Sequence, residues 1–284
     1  MQNAPVKQFG IDLHPDDEFK QSKLLSLATW NIQGKAASEA MVVLEDCLHD
    51  YNIISLQEVS GCIDVVSKGS YCFGGEVGPG STCLYAWPTD CFRPVAVAFD
   101  TGIGWDRVFV GHSHVSVRLH VQGLSKPLIW VCAHLPHMSR PVEDLARAVD
   151  SLQQDIQPWV DRGSPIVLAG DLNYPLVEDV SHRSQMVQQM CALLGLTMFS
   201  FNSHATRSSG VRRLDHIVTN QALQQQCLCQ EMQVQSSLEH AFESYCWDVQ
   251  VALGCDHAAI CWEMLVLSGG PKPVSYTHLR AHET

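Results

Sequence analysis

Residues 166–173, Ile166-Val167-Leu168-Ala169-Gly170-Asp171-Leu172-Asn173, run from an unbroken apolar stretch into a Gly-Asp-x-Asn step. A short continuous apolar run reads as a strand buried on both faces, the kind found in α/β sheets. The polar step at its end reads in two ways. In one, Asp171 and Asn173 close an Asx turn on their own backbone. In the other they reach into a site: Gly170 allows close backbone approach and Asp171 orients or deprotonates a water. Asn173 then donates to phosphorane oxygens, whose charge grows in the transition state. The tetrapeptide alone does not choose.

The same arrangement recurs along the chain. Residues 24–29 run into Trp30-Asn31, and residues 53–56 into Gln57-Glu58. Residues 128–133 stop at His134, Arg213-Leu214 at Asp215-His216, and Gly254-Cys255-Asp256-His257 precedes the apolar stretch 258–262. A polar residue at the same end of several buried strands predicts side chains converging on one sheet edge. Asn31 and Glu58 offer an amide oxygen and a carboxylate to a hard cation, Mg²⁺ first and Mn²⁺ second; a lone strand-end Glu is often merely solvated. Asp215 with Asp256-His257 suggests a carboxylate–imidazole relay, since a buried Asp on one ring nitrogen fixes the tautomer and favours the cation. His257 then faces the phosphate or the attacking water, and Asp256 points the other way, towards metal or water. His134 is either a satisfied strand end or a second imidazole for a leaving or phosphate oxygen. His216 is read as packing beside the site. Together the set is that of an enzyme.

The chain has 284 residues, 46% hydrophobic and 17% charged, which fits a soluble globular protein of one large domain or two small ones. No run approaches the roughly 20 apolar residues that span a bilayer, so no membrane partner is expected. Residues 1–20 carry Asp12, Asp16, Asp17 and Glu18 in place of a signal's apolar region, which predicts an intracellular protein, nuclear or cytoplasmic. Twelve irregularly spaced cysteines with no Cys-x-x-Cys pair read as reduced thiols, not as a disulfide frame or a zinc site. A net charge of −12 argues against a broadly basic nucleic-acid surface. Locally, Arg207, Arg212 and Arg213 form either a phosphate clamp beside Asp215 or a solvated basic loop.

Residues 1–22 read as a polar leader, 23–267 as the folded domain, and 268–284 as a tail ending in what resembles translated adaptor sequence. Ala40, Val43, Leu44, Cys47 and Leu48 mark the buried face of a helix over residues 36–49, giving a strand–helix–strand unit of βαβ length. Glycine-rich residues 61–82 predict a long loop, and stretches at 95–99, 108–110 and 115–121 an antiparallel meander. A helix starts after Ser139-Arg140-Pro141 and is expected to stop at Pro158; another lies near residues 184–194. The glutamine-crowded stretch 219–251 predicts a strand at 231–234 and a loop to Gly254. Trp87, Trp105 and Trp159 are assigned to the core by default.

Six segments carry a family resemblance: Thr29-Trp30-Asn31-Ile32-Gln33-Gly34, Leu56-Gln57-Glu58, Ala133-His134-Leu135-Pro136, Gly170-Asp171-Leu172-Asn173, Arg213-Leu214-Asp215-His216-Ile217 and Cys255-Asp256-His257. In this order and spacing, over residues 24–263, the chain resembles the endonuclease/exonuclease/phosphatase, or deoxyribonuclease-I-like, superfamily. The resemblance implies an α/β fold, a four-layer sandwich of two packed mixed β-sheets flanked by helices, and Mg²⁺-dependent cleavage of phosphoester bonds. It implies that Asn31 and Glu58 hold the metal and that Asp256 assists at metal or water. Asp171 and Asn173 serve the water and the transition state, and Asp215 orients His257. Two departures stand out. Cys255 replaces the family's common Ser, and His134 stands where repair and retroelement nucleases often carry Tyr. Histidine there is more typical of the deoxyribonuclease, sphingomyelinase and deadenylase branches.

Three functions are compatible with this pattern. The favoured one is an endonuclease hydrolysing DNA, as in the nicking domain of a LINE-type retroelement whose gene continues into a reverse transcriptase. The second is a phosphoesterase for a lipid headgroup, an inositol phosphate or an RNA end, in keeping with the acidic surface and His134. The third is a non-catalytic binding module of the same fold, against which the presence of every expected catalytic residue type weighs.

Overall fold

Apolar runs that are buried on both faces need a layer on each side, and the chain supplies them with two sheets and helices outside. The computed structural model describes residues 23–37, 39–40, 42–43, 52–60, 72–78, 81–86, 94–177, 179–198, 213–230, 233–234, 242–243, 245–246 and 255–266. One sheet has the spatial order β12 (Cys227–Gln230), β16 (Ala259–Val266), β1 (Lys23–Asn31), β2 (Ile53–Gln57), β5 (Val95–Asp100), β4 (Ser81–Ala86) and β3 (Cys72–Gly78). A short β15 (Tyr245–Cys246) also pairs with β16. The second sheet runs β10 (Leu196–Met198), β11 (Asp215–Asn220), β9 (Ile166–Asp171), β8 (Leu128–His134), β7 (His114–His120) and β6 (Gly104–Val110). Both sheets are mixed: β1 with β2 and β8 with β9 are parallel, and their other pairings are antiparallel. A separate pair, β13 (Gln233–Val234) and β14 (Phe242–Glu243), is antiparallel.

The core divides by layer. Leu25, Leu27, Ile53, Val97, Val117, Trp130 and Val167 fill the space between the sheets. Helices α1 (Val142–Asp161) and α2 (His182–Leu193) cover the outer face of the second sheet, where Leu145, Leu152, Ile156 and Val187 meet Ile129, Val131 and Leu168. Burying each such side chain contributes about 1.5–3 kcal/mol. Ala37 and Ala40, in the described part of the helix expected at 36–49, pack on the outer face of the first sheet against Ala28, Trp30 and Leu56. Four layers result. A short α3 (Gln221–Gln224), capped by Asn220, leads from β11 to β12. Among the described residues no helix is long and apolar enough to cross a membrane.

Several expectations need correction. The loop expected at 61–82 contains β3, and β4 follows; glycines were read as breakers, but antiparallel pairing with β5 carries this hairpin at the sheet edge. The meander is real only for β6, β7 and β8. β5 lies in the other sheet, between β2 and β4, because the chain turns at Thr101–Ile103 and crosses the sandwich. α1 continues past Pro158, since Trp159 is buried against Phe109 at 5.8 Å between ring centroids and holds the last turn in place. Trp105 is 44% exposed because β6 is an edge strand, so it is not a core residue. Trp87 lies outside the described residues. β13 falls within the strand expected at 231–234, whereas β14 and β15 lie where a loop to Gly254 was expected, and the unexpected β12 extends the first sheet. Cys132, Cys191, Cys227, Cys255 and Cys261 are buried and in no disulfide.

Candidate active site

Alternation along each strand aims the functional side chains. On β8, Leu128, Trp130 and Cys132 face the inter-sheet core, and His134 is next in phase. On β9, Val167 and Ala169 lead to Asp171, and on β11 Ile217 is preceded in phase by Asp215. Register then lines them up. His134 pairs with Asp171 across the parallel β8–β9 ladder, and Asp215 pairs with Asp171 across the antiparallel β9–β11 ladder. In the facing sheet, Leu25 and Leu27 lead through Thr29 to Asn31, and parallel β2 brings Glu58 to the same end. The convergence is on one end of both sheets and not on a single edge.

Gly170 is required by this geometry. A Cβ there would lie 1.9 Å from the Ala133 carbonyl oxygen, and its φ of +154° disfavours a side chain. Any substitution would part β8 from β9 and move His134 off Asp171. Beneath the site, Trp130 Nε1 donates to Ser55 Oγ at 2.9 Å, and Gln57 Nε2 donates to Thr29 Oγ1 at 3.1 Å and approaches Cys132 Sγ at 3.3 Å. These satisfied buried groups fix one sheet's position on the other.

Asp171 does two things at once. Its Oδ1 accepts from Asn173 N at 2.9 Å, closing the Asx turn, while Oδ2 accepts from Asn31 Nδ2 at 2.9 Å across the sandwich. The same Asn31 amide donates to Glu58 Oε1 at 3.2 Å, so two carboxylates converge on one donor. Asn173, with φ +58°, donates from Nδ2 to the Leu135 carbonyl at 2.8 Å. His134 Nε2 stands 3.8 Å from Glu58 Oε1 and 3.9 Å from Asp171 Oδ2.

The imidazole of His257 lies between two carboxylates. Nδ1 lies 2.9 Å from Asp215 Oδ2, and Nε2 lies 3.6 Å from Asp256 Oδ1. Trp30 Nε1 donates to the His257 carbonyl at 3.0 Å. Asp256 is gripped by Gln33, whose amide donates to Oδ1 and whose Oε1 accepts from Asp256 N at 2.9 Å. Asp256 therefore flanks the outer nitrogen of His257. Cys255 Sγ, where the family's Ser is expected, reaches the Ile32 carbonyl at 3.4 Å. Gln33 and Trp30 were quoted in the sequence motif without a role; their place in it, either side of Asn31, was the available signal.

Burial alone would push His257 down, but the Asp215 carboxylate outweighs it, helped by Asp171 and Asp256, and the imidazole is pushed up to about 9. Asp171 is pushed up, first by burial and then by Asp215; His134, His257 and the Asn31 bond oppose this. His216 is different. Burial, reinforced by Arg213, lowers it to about 3, and its Nε2 donates to the Tyr174 carbonyl at 3.0 Å, so it packs as a neutral ring. Arg213 is buried, with Nε donating to the Asp215 carbonyl at 3.2 Å. Arg207 and Arg212 lie outside the described residues.

The Endonuclease/Exonuclease/phosphatase family profile matches residues 28–229. No curated protein matches the sequence. Among solved structures, the chain is similar to the endonuclease domain of TRAS1, a telomere-specific non-LTR retrotransposon, at 13% identity and a TM-score of 0.57, over 86% of this chain and 99% of that one. It is similar to ANGEL2, a 2′,3′-cyclic phosphatase in complex with adenosine-2′,3′-vanadate, at 12% identity and a TM-score of 0.59, over 88% and 97%. The 3′ phosphatase NExo from Neisseria, bound to a product DNA hairpin, shares 16% identity with a TM-score of 0.52, over 84% and 98%. At such identities the likeness is one of fold. With the profile match added to the two-sheet sandwich and its motif order, the chain belongs to the endonuclease/exonuclease/phosphatase family.

Proposed function

We propose that this chain is a metal-dependent phosphodiesterase that cuts DNA internally through an activated water. The observation that carries the reading is the buried Asp215–His257 pair beside Asp171, at the end of the sandwich where Asn31 and Glu58 also arrive. Asp171, Asp215 and His257 place potential ligand atoms within 4.8 Å of one another. Glu58 and Asp171 converge on one amide, a concentration of carboxylate charge that suits a hard cation with oxygen ligands. Asn31 and Glu58 are the residues that would hold Mg²⁺ or Mn²⁺, with Asp256 assisting beside His257. When bound, such a cation supplies charge neutralisation at the phosphate.

The chain's own residues do the rest. Asp171, whose proton affinity is raised by burial, orients the attacking water and accepts its proton. His257, kept cationic by Asp215, presents Nε2–H to a phosphate oxygen as charge develops there. Asn173 uses one amide proton on Leu135, which leaves the second for the phosphorane. His134 serves the leaving or a non-bridging oxygen. Arg207, Arg212 and Arg213 are assigned to flanking phosphates. Support for a DNA substrate comes from the likeness to a retrotransposon endonuclease domain and to a phosphatase bound to DNA. A second reading, an RNA-end phosphoesterase, is favoured by the net charge of −12 and by the likeness to a 2′,3′-cyclic phosphatase.

The test is nicking of supercoiled plasmid with Mg²⁺ or with EDTA, beside Asp171→Ala. Metal-dependent nicking that the variant lacks supports the endonuclease. No nicking, but turnover of a 2′,3′-cyclic nucleotide, moves the assignment to RNA ends.

A further inference from the structure

We propose that His114 and Asp155, on the outer face of the second sheet, form a positioning pair for His134; the kinetic side of this rests on the phosphoesterase reading. His114 begins β7 opposite Ala133, one residue before His134. Its ring is fully buried, and Nε2 lies 2.8 Å from Asp155 Oδ2 on α1. The same helix holds the preceding turn, because His112 N donates to Ser151 Oγ at 3.1 Å. Gly111 N donates to the His114 carbonyl at 3.0 Å, and the imidazole covers Gly111 so closely that a Cβ there would lie 1.9 Å from Cε1. Helix, ring and turn are locked to one another.

The locked turn reaches the site through one backbone bond: the Ser113 carbonyl accepts from His134 N at 2.9 Å. The β7–β8 pairing stops at His114 and Ala133, so this bond anchors His134 on its β7 side. The His134 imidazole stands 3.8 and 3.9 Å from two carboxylates, beyond direct hydrogen-bond reach of either. At such a position a displacement of about 1 Å costs about 10²-fold in rate. An apolar residue at position 114 would pack this face as well or better, because a hydrogen bond from a buried ring adds only modest net stability. What a directional pair adds is alignment. An open cleft of about 430 Å³, lined by Gly111, His112, Ser151 and Asp155 among others, exposes the acid to solvent. Asp155 is 34% exposed, so it can be changed without opening the core.

Asp155→Ala is expected to lower kcat by about 10- to 100-fold with KM unchanged. Asp155→Asn should restore the rate, since its amide oxygen still accepts from His114 Nε2–H. In a His134→Ala background, Asp155→Ala should cost nothing more. Hydrogen exchange gives a readout independent of turnover. The His134 amide should exchange at least about tenfold faster in Asp155→Ala as its bond to Ser113 loosens. The Leu135 amide, bonded to the Asp171 carbonyl at 3.0 Å, should be unchanged. Additive losses in the double variant, or unaltered exchange at His134, overturn the pair's role in an active enzyme. An inactive wild type would instead overturn the phosphoesterase reading, and the exchange rates alone would then decide on the pair.

Discussion

The site has a dry half, Asp171, Asp215 and His257 on β9, β11 and the approach to β16, and a wet half, Glu58 after β2, His134 at the end of β8 and Asp256 beside His257. The side chains of Asp171, Asp215 and His257 are 3%, 0% and 5% exposed; those of Glu58 and His134 are 28% and 18% exposed. Burying ions is costly unless each finds a partner. In the dry half, Asp215 and His257 partner each other, while Asp171 has a neutral amide opposite and its proton affinity rises. The wet half keeps its groups hydrated. On the proposed mechanism the dry half moves protons and the wet half takes an exchangeable cation.

The largest expected effects fall on the dry half. Asp171→Ala and His257→Ala should each lower single-turnover cleavage by about 10²- to 10⁴-fold, and no Mg²⁺ concentration should recover it. Glu58→Gln should lose activity through weaker cation binding, by about 10- to 100-fold in apparent affinity, and regain most of it as Mg²⁺ is raised. A Mg²⁺ titration of all three variants checks this, and equal recovery in all would erase the distinction between the halves. A smaller effect separates charge from position. In wild type, His257 is cationic below about 9, so activity should fall above that pH. Asp215→Asn removes the largest raising influence and leaves burial opposed only by Asp171 and Asp256, so the fall should move to lower pH. A pH–rate profile that keeps its alkaline limb in the variant would detach His257 from Asp215.

The dry half was also the more legible half in sequence. Asp171, Asp215 and His257 each adjoin an apolar run, and the alternation that buries Val167, Ala169 and Ile217 aims the acids inward without help from the rest of the chain. Burial of that kind is a property of local pattern. The wet half depended on tertiary geometry. Glu58 reaches the cleft through a left-handed backbone, φ +54°, which no period predicts, and Gln33 meets Asp256 from 223 residues away. Trp105 was misplaced for a related reason: a strand's composition does not say whether a neighbour will cover it. The glycines of β3 hid a strand because propensity is weak where pairing decides. Packing of α1 overrode the stop signal at Pro158, since the Trp159 contact lies in space and not in sequence.

The smallest effect is on stability, and it tests whether the Asp215–His257 pair is part of the fold as well as of the chemistry. The folded His257 value, about 9, lies above the ordinary histidine value of 6.5. Its contribution is therefore fully present below the unfolded value and is lost as pH rises through about 9; the difference corresponds to roughly 3 kcal/mol. Asp171 acts in the same direction, because a raised carboxyl group costs stability once it ionises. Wild type should thus unfold at lower urea at pH 9.5 than at pH 6. In Asp215→Asn, only Asp171 and Asp256 remain to oppose burial at His257, so its value falls and the stability it contributes at low pH shrinks. The difference in stability between wild type and variant should narrow from pH 6 to pH 9.5. A constant difference across that range would mean that the pair is not charged in the folded state, and that the dry half is held by packing alone.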